Sequence, residues 1–152
     1  MAPDAALKLR AEDAEDLAVI SGLVQDALIS VADLAYDRAA RRFTLVANRF
    51  RWEAPSPTDG LDQTGEFERT LCAVTFAEVE RVSYRGFRRL DVGRILALLA
   101  IRPGEAAGII DLEFSGGAAV RLAVGAISVR ASDVGEPWPT PWQPDHEAGR
   151  RA

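Results

Sequence analysis

The sequence has one cysteine, Cys72, and one histidine, His146, and this shortage excludes several kinds of functional site. A lone cysteine cannot form a disulfide within the chain, and a zinc site of nitrogen and sulfur ligands needs more of these residues than the chain has. His146 lies in a proline-rich segment, where a preorganised general base is not expected. We therefore assign no catalytic residue and no metal site, although carboxylates that suit magnesium or calcium are abundant.

The chain also lacks the glycine-rich motifs that bind phosphates and the long apolar runs that span membranes. Neither G-x-x-x-x-G-K-[ST] nor G-x-G-x-x-G occurs, so no cofactor is indicated. The longest apolar run, residues 95–101, is much shorter than the roughly 20 residues that cross a bilayer, and the first residues do not resemble a signal sequence. Together with the single cysteine, these absences predict a cytoplasmic protein that does not insert into the membrane.

What the sequence does contain is enough apolar material for one core. It has 152 residues, of which 48% are hydrophobic, and this predicts a single folded domain. The formal net charge of -5 gives no overall attraction to nucleic acid or to an anionic membrane. Residues 1–134 are predicted to form the domain, and the proline-rich residues 135–152 are predicted to form an extended, polyproline-like tail.

Hydrophobic periodicity predicts an α+β fold with one main N-terminal helix. Apolar residues recur at three- and four-residue steps from Ala14 to Leu28, directly after Asp13, whose carboxylate suits a helix N-cap. The expected architecture is this amphipathic helix packed on a strongly bent, mainly antiparallel sheet of about six to eight strands. A barrel-like sheet is one form that such bending takes.

Alternating and β-branched residues predict the strands. They lie at residues 7–10, 29–36, 42–52, 71–84, 91–101, 109–114 and 119–130. The segment 71–84 is interpreted as one strand bent by a bulge, with a short helical turn at 77–81 as the alternative. Periodicity does not decide between a buried strand and a buried helix at 91–101, and the strand is favoured. Gly116 and Gly117 predict a hairpin turn, and residues 54–65 predict a mobile surface loop.

Arginines and aromatic residues alternate on the strand at 42–52. It holds Arg42, Asn48, Arg49 and Trp52, which are residue types that bind nucleic acids through phosphate contacts and base stacking. Ordinary packing is favoured over such binding, because the aromatic residues fall on both faces of the strand and neighbouring carboxylates can pair with the arginines. Nucleic acid is therefore the least favoured partner.

Several polar positions resemble those of a known family. The residues that carry the resemblance are Leu17 to Ala27 with Gln25 and Asp26, then Asp33-Leu34-x-Tyr36, Asn48-Arg49-Phe50-x-Trp52-Glu53 and Leu112-x-Phe114-x-Gly116-Gly117. Over nearly the whole chain they are similar to small alphaproteobacterial proteins labelled domain of unknown function 2948. The resemblance implies a cytoplasmic bacterial protein and no particular activity, cofactor or catalytic residue. It raises interest in four polar positions: Gln25, Asp26, Asn48 and Arg49.

The missing catalytic signatures favour a non-enzymatic binding or adaptor module, which we expect to form a homo-oligomer or to bind a protein partner. The candidate binding residues are Gln25, Asp26, Arg42, Asn48, Arg49, Trp52, Trp138 and Trp142. Both tail tryptophans suit burial against this domain or against another chain. One alternative is an enzyme or sensor that binds a small anionic metabolite in an arginine-lined pocket, formed by Arg42, Arg49, Gln25 and Asp26. A weak nucleic-acid binder is the second alternative.

Overall fold

The structure of the chain is a computed structural model that describes residues 7–53 and 67–140. The described residues form one α-helix and ten strands, which confirms the predicted α+β class. The elements are β1 (Lys8–Ala11), α1 (Ala14–Leu23), β2 (Leu28–Ser30), β3 (Ala35–Asp37), β4 (Arg42–Phe50), β5 (Phe67–Phe76), β6 (Val79–Arg85), β7 (Ile95–Pro103), β8 (Ile109–Phe114), β9 (Ala119–Val124) and β10 (Val129–Thr140). Short 3₁₀ turns follow β2 and β8, at Val31–Asp33 and Ser115–Gly117.

The strands pair antiparallel in the order β1-β10-β5-β4-β2-β7-β8-β9-β6, and β3 is attached to β4. The predicted count of six to eight strands was wrong, because the predicted strands at 29–36, 71–84 and 119–130 each contain two strands. A 3₁₀ turn separates the first pair, and Glu78, with a φ of 57°, breaks the second. The barrel-like form was also wrong, because β1 and β6 lie at the two ends of the strand order and do not pair with each other.

The core lies on the inner face of the sheet, and α1 completes it. Asp13 caps the helix as predicted, since its Oδ1 accepts a hydrogen bond from the Asp16 backbone N–H at 2.8 Å. Leu17, Ile20 and Val24 then join the same buried cluster as the inward side chains of the strands. Because these three apolar residues repeat at helical spacing, one face of α1 is buried against the sheet.

The helix is shorter than predicted, because tertiary pairing takes over its last turn. It ends at Leu23, and Asp26 adopts a left-handed φ of 65°. The backbone N–H of Asp26 donates to the Leu98 carbonyl at 2.8 Å, and Leu28 pairs with both Asn48 and Ala97. Residues 26–28 therefore enter the sheet between β4 and β7.

The other strand predictions are confirmed at several positions. Of the predicted strand at 91–101, residues 95–101 lie in β7 whereas residues 91–94 form a turn before it, and β8 and β9 form the expected hairpin. Residues 135–140 of the predicted tail continue β10, where Trp138 pairs with Arg69 after a bulge that contains Gly135. The predicted loop at 54–65 and residues 141–152, including Trp142 and His146, lie outside the described residues.

Candidate functional site

Most of the candidate residues meet at one end of the sheet, where β4 ends and β5 begins. Arg49 points to the inner side of β4, whereas Asn48 and Trp52 lie on its outer side, with Trp138 nearby on β10. Gln25 joins them because its carbonyl accepts a hydrogen bond from Trp52 Nε1 at 3.4 Å. Arg42 does not, since it is exposed at the other end of β4, about 24 Å away at the usual rise of a strand. The arginine-lined pocket that would include Arg42 is therefore not assembled.

Arg49 is completely buried, and all five of its N–H donors are used. Its Nε and Nη2 atoms donate to the Asp133 carboxylate at 2.9 and 2.8 Å. Its Nη1 and Nη2 atoms donate to the Glu53 carboxylate at 3.0 and 2.6 Å, and Nη1 also donates to the Phe50 carbonyl at 3.2 Å. Two carboxylates thus hold the guanidinium in paired, planar contacts, so Arg49 has no donor left for a ligand.

Asp133 ties three parts of the chain together through its carboxylate. Besides Arg49 of β4, its Oδ2 accepts a hydrogen bond from the Leu7 backbone N–H at 3.0 Å, and the Asp133 backbone N–H donates to the Leu7 carbonyl at 2.9 Å. Beside this group, the buried side chain of Arg51 forms a salt bridge with Glu68 and lies 3.7 Å from Glu53. We call this group of six residues the inner ion network: Arg49, Arg51, Glu53, Glu68, Asp133 and the backbone of Leu7.

The electrostatics of the inner ion network favour charged side chains despite their burial. Burial alone would raise the pKa of Asp133, but hydrogen bonds from Arg49 and the Leu7 backbone outweigh it and hold this pKa below its ordinary value. The pKa of Glu53 is lowered in the same way, since hydrogen bonds from Arg49 oppose the effect of burial. Burial would lower the pKa of Arg49, but its bonds to Glu53 and Asp133 produce a net increase. Arg49, Glu53 and Asp133 are therefore charged near neutral pH.

This arrangement predicts a loss of stability in acid. Carboxylates with a lowered folded-state pKa stabilise the fold above their unfolded pKa of about 4, and this contribution is lost as the pH falls through the lower folded-state values. We expect the free energy of unfolding, measured by urea titration from pH 7 to pH 3, to fall less steeply in Asp133→Asn than in the original chain. Identical pH slopes for the two proteins would show that Asp133 is not linked to proton uptake.

The outer side of the same strands carries a second arginine, Arg69, which is 6% exposed. Its Nε and Nη2 atoms donate to Asn48 Oδ1 and to the Asn48 carbonyl, at 2.6 and 2.8 Å. Burial lowers the pKa of Arg69, and the nearby negative charge of Asp26 opposes that shift. Asn48 and Asp26, two of the candidate residues, therefore position and partly neutralise a buried cation.

Aromatic residues are the cross-strand neighbours of this outer arginine: Phe50 on β4 and Trp138 on β10. The ring of Phe50 packs edge-on against Trp52, with centroids 4.8 Å apart, and lies 5.6 Å from the Phe67 ring in a tilted contact. Of the two candidate tryptophans that the structure describes, Trp52 and Trp138, only Trp138 is among the exposed large apolar side chains, at 37%.

Cys72 and Thr70 lie on the inner face of β5, next to the inner ion network. Burial raises the pKa of the Cys72 thiol to about 12, and the negative charge of Asp133 adds to this increase. The thiol is therefore protonated near neutral pH and unsuited to nucleophilic attack. Thr70, the cross-strand partner of Arg49, is also fully buried, and its Oγ1 forms no hydrogen bond with the described residues.

A row of apolar side chains crosses the outer face of the sheet beside Arg69. The register aligns Val134, Leu71, Asn48, Leu28 and Ala97 on five neighbouring strands, so their side chains share one face. The side chains of Leu28, Leu71 and Val134 are 40%, 38% and 41% exposed, which shows that no described element covers them. Ile95 and Trp138 extend the row in the two flanking positions. We call these five residues the outer apolar face: Leu28, Leu71, Ile95, Val134 and Trp138.

Charged side chains instead line the outer face of β8 and β9. Asp111 accepts two hydrogen bonds from Arg121, at 2.8 and 3.2 Å, and Glu113 is paired with Arg102. Together with Tyr84 and neighbouring residues, they line a shallow depression of about 270 Å³. Because each carboxylate already has an arginine partner, this face is typical of exposed cross-strand salt bridges.

Comparison with known proteins gives one match. A family model described as a protein of unknown function, DUF2948, matches residues 7–146. The chain belongs to this family. No curated protein and no solved structure matches the chain significantly. The family assignment confirms the resemblance seen in the sequence and adds no activity to it.

The described residues contain neither a group of metal ligands nor a membrane-spanning helix. Within residues 7–53 and 67–140, no three histidine, cysteine or carboxylate side chains are grouped so that they could hold a metal ion. No helix in the same part of the chain is long and apolar enough to cross a membrane.

Sequence analysis missed the residues that organise the site, Asp133 and Arg69. A signal for Asp133 was present, because it continues the inward alternation of Val129 and Ala131 on β10. A carboxylate on such a face needs a buried cation, and Arg49 is the only completely buried arginine among the described residues. Arg69 gave no comparable signal, since its partners, Asn48 and Asp26, lie on two other segments of the chain.

Proposed function

We propose that the chain is a non-enzymatic binding module of the bacterial cytoplasm that self-associates through the outer apolar face. The observation that carries the proposal is the row of half-exposed Leu28, Leu71 and Val134 side chains across the sheet. At a strand spacing of about 4.8 Å, the row spans about 19 Å from Val134 to Ala97. A largely apolar row of this extent, interrupted by Asn48, is typical of an interaction site on a folded domain.

The polar residue inside the row is compatible with burial in an interface. Asn48 lies between Leu71 and Leu28, and its side-chain oxygen already accepts a hydrogen bond from Arg69. A second chain on this face would therefore cover an amide that already has a hydrogen-bond partner, while it removes four aliphatic side chains and Trp138 from water.

A second copy of the chain binds more favourably to this face than to the edges of the sheet. The end strand β1 carries Lys8 and Arg10, and β6 carries Glu80, Arg81 and Arg85. Charged residues on end strands oppose the addition of another strand. Face-to-face packing, by contrast, brings together two copies of the same apolar row, which gives the self-complementary contact of a twofold dimer.

The proposal is tested by sedimentation velocity over a range of concentrations. We expect a reversible monomer–dimer equilibrium, of about micromolar affinity given the modest apolar area. The double variant Leu71→Thr/Val134→Thr should be monomeric. Threonine is a β-branched residue suited to strands, and the change removes two of the three half-exposed aliphatic side chains of the row.

A matched control replaces a leucine and a valine that lie outside the outer apolar face. The variant Leu90→Thr/Val92→Thr changes two exposed residues that precede β7, and it should dimerise like the original chain. A chain that stays monomeric at every concentration, or a control variant that is equally impaired, would contradict self-association through the outer apolar face.

A further inference from the structure

A second exposed surface is formed by the connection between β6 and β7, whose first residues pack against neighbouring strands. Gly86, with a φ of 81°, starts this connection in contact with the hairpin turn between β8 and β9. The Phe87 ring then packs edge-on against Tyr84 and Phe114, with centroids 5.7 and 6.4 Å apart. The connection is thereby anchored on two strands by aromatic contacts.

Hydrogen bonds fix the rest of the connection. Arg94 Nη1 donates to the Gly86 carbonyl at 2.9 Å, which closes the loop at its base. Asp91 makes a turn at the tip, where its carboxylate accepts from the Arg88 backbone N–H at 3.2 Å and its own N–H donates to the Arg88 carbonyl. Ser30 of β2 donates to the Val92 carbonyl at 3.3 Å. The backbone of the loop is therefore held in a defined conformation.

This ordered loop presents apolar and basic side chains to solvent. Leu90 is 88% exposed, the highest value among the large apolar residues described, and Val92 is 58% exposed. Arg88 and Arg89 directly precede Leu90, and Arg85 ends β6 at the base of the connection. The Arg89 guanidinium lies 5.6 Å from the centre of the Tyr84 ring, and none of the three arginines forms a salt bridge with the described carboxylates. We call residues 85–94 the arginine loop; its four arginines and one aspartate form a local positive charge that the net charge of -5 conceals.

We propose that the arginine loop binds an anionic phospholipid surface. Leu90 and Val92 would enter the boundary between headgroups and acyl chains, while Arg85, Arg88 and Arg89 contact the lipid phosphates. Apolar side chains flanked by basic residues bind in this way at membrane interfaces, because burial of the apolar groups and attraction to anionic lipids act together. The proposal concerns attachment to the surface of a bilayer and requires no spanning segment.

The shape of the loop favours a lipid surface over an acidic polypeptide. A leucine that is 88% exposed projects outward, so a protein partner would need a pocket built to receive it. A bilayer interface accepts a projecting side chain without such a pocket, and its phosphates lie where the arginines at the base of the loop can reach them. Nucleic acid offers phosphates but no place for two aliphatic side chains.

Co-sedimentation with vesicles tests the proposal on the full chain. We expect binding to vesicles of phosphatidylcholine with about one third phosphatidylglycerol, and not to pure phosphatidylcholine, at about 50 mM salt. Leu90→Thr/Val92→Thr should weaken binding about tenfold, because the apolar contribution is lost. Arg85→Gln/Arg88→Gln should weaken it by at least about tenfold, since each arginine contributes about fivefold.

Two matched controls distinguish binding by the arginine loop from effects of overall charge and of self-association. Arg38→Gln/Arg42→Gln removes the same charge from exposed positions near the other end of β6 and should leave most vesicle binding intact. Leu71→Thr/Val134→Thr, which tests self-association, should also bind vesicles, so the two proposals fail independently. Thermal melting of the loop variants should be unchanged, because their side chains are exposed.

Absence of binding to the anionic vesicles at low salt would overturn the proposal. Equal loss of binding in the Arg38→Gln/Arg42→Gln control would overturn it too, because overall charge would then be the cause. Binding to polyglutamate that equals vesicle binding and does not depend on Leu90 and Val92 would assign the loop to an acidic polypeptide instead.

Discussion

Replacement of Asp133 by alanine is expected to destabilise the fold by about 3–5 kcal/mol, because it leaves a buried guanidinium with one of its two carboxylates missing. Asp133 accepts hydrogen bonds from Arg49 Nε, Arg49 Nη2 and the Leu7 backbone N–H, and Arg49 itself is completely buried. Neither Arg49 donor that loses its partner can reach water without displacement of the surrounding strands. For a chain of this length, such a loss lowers the melting temperature by about 10 °C or more.

Asp111→Ala is the matched control for this prediction. Asp111 also accepts two hydrogen bonds from one arginine across a strand pair, but the Arg121 side chain is 60% exposed, against 0% for Arg49. Water can replace the lost carboxylate there, so the melting temperature should hardly change. Urea or thermal unfolding of both variants measures the difference. Equal losses of stability in the two variants would show that burial does not determine how much these ion pairs stabilise the fold.

Replacement of Gly86 by alanine is the second change with a large expected effect, about 2–4 kcal/mol of stability. A β-carbon at this position would lie 2.7 Å from the Gly117 carbonyl oxygen and 2.8 Å from Ala118 Cα, and both are backbone atoms. The φ of 81° adds the cost of a left-handed conformation for alanine. We expect a lower melting temperature, and we also expect weaker vesicle binding, because the base of the arginine loop must shift.

Gly116→Ala separates the steric clash of the new β-carbon from the cost of the left-handed backbone conformation. Gly116 has a similar φ of 75°, yet a β-carbon at this position would have no neighbouring atom within 4 Å. Its substitution should therefore cost only the conformational part, about 1 kcal/mol, and should leave vesicle binding unchanged. A Gly86→Ala variant as stable as Gly116→Ala would contradict the close approach of the loop to the β8–β9 turn.

Local patterns in the sequence predicted the elements that depend on local interactions. Asp13 caps the helix by a contact three residues away, and Gly116 and Gly117 supply the positive φ values of the hairpin turn. The end of the helix was misplaced because the competing interaction is distant: Asp26 donates to Leu98 on β7. The number of strands was underestimated for a related reason, since the break at Glu78 depends on its backbone bond to Gly125 rather than on a glycine or proline in the segment.

The candidate site was predicted in part. The sequence drew attention to Gln25, Asp26, Asn48 and Trp52, and the structure places them at one end of β4. It could not show which partners Asn48 and Arg49, adjacent in the chain, would have on the two faces of the sheet. Alternation along a strand separates neighbours, whereas the partners are set by the strand order, which no local pattern encodes.

The hydrogen bonds between Asp133 and Leu7 also have a consequence for the order of folding. They join residues 126 positions apart, and among the described strands β1 pairs with β10 alone. During synthesis, β1 must wait until almost all the described chain has left the ribosome before it can pair. Until then Arg49 lacks one carboxylate and one edge of β5 lacks its partner strand, so the incomplete chain is less stable and more readily cleaved by proteases.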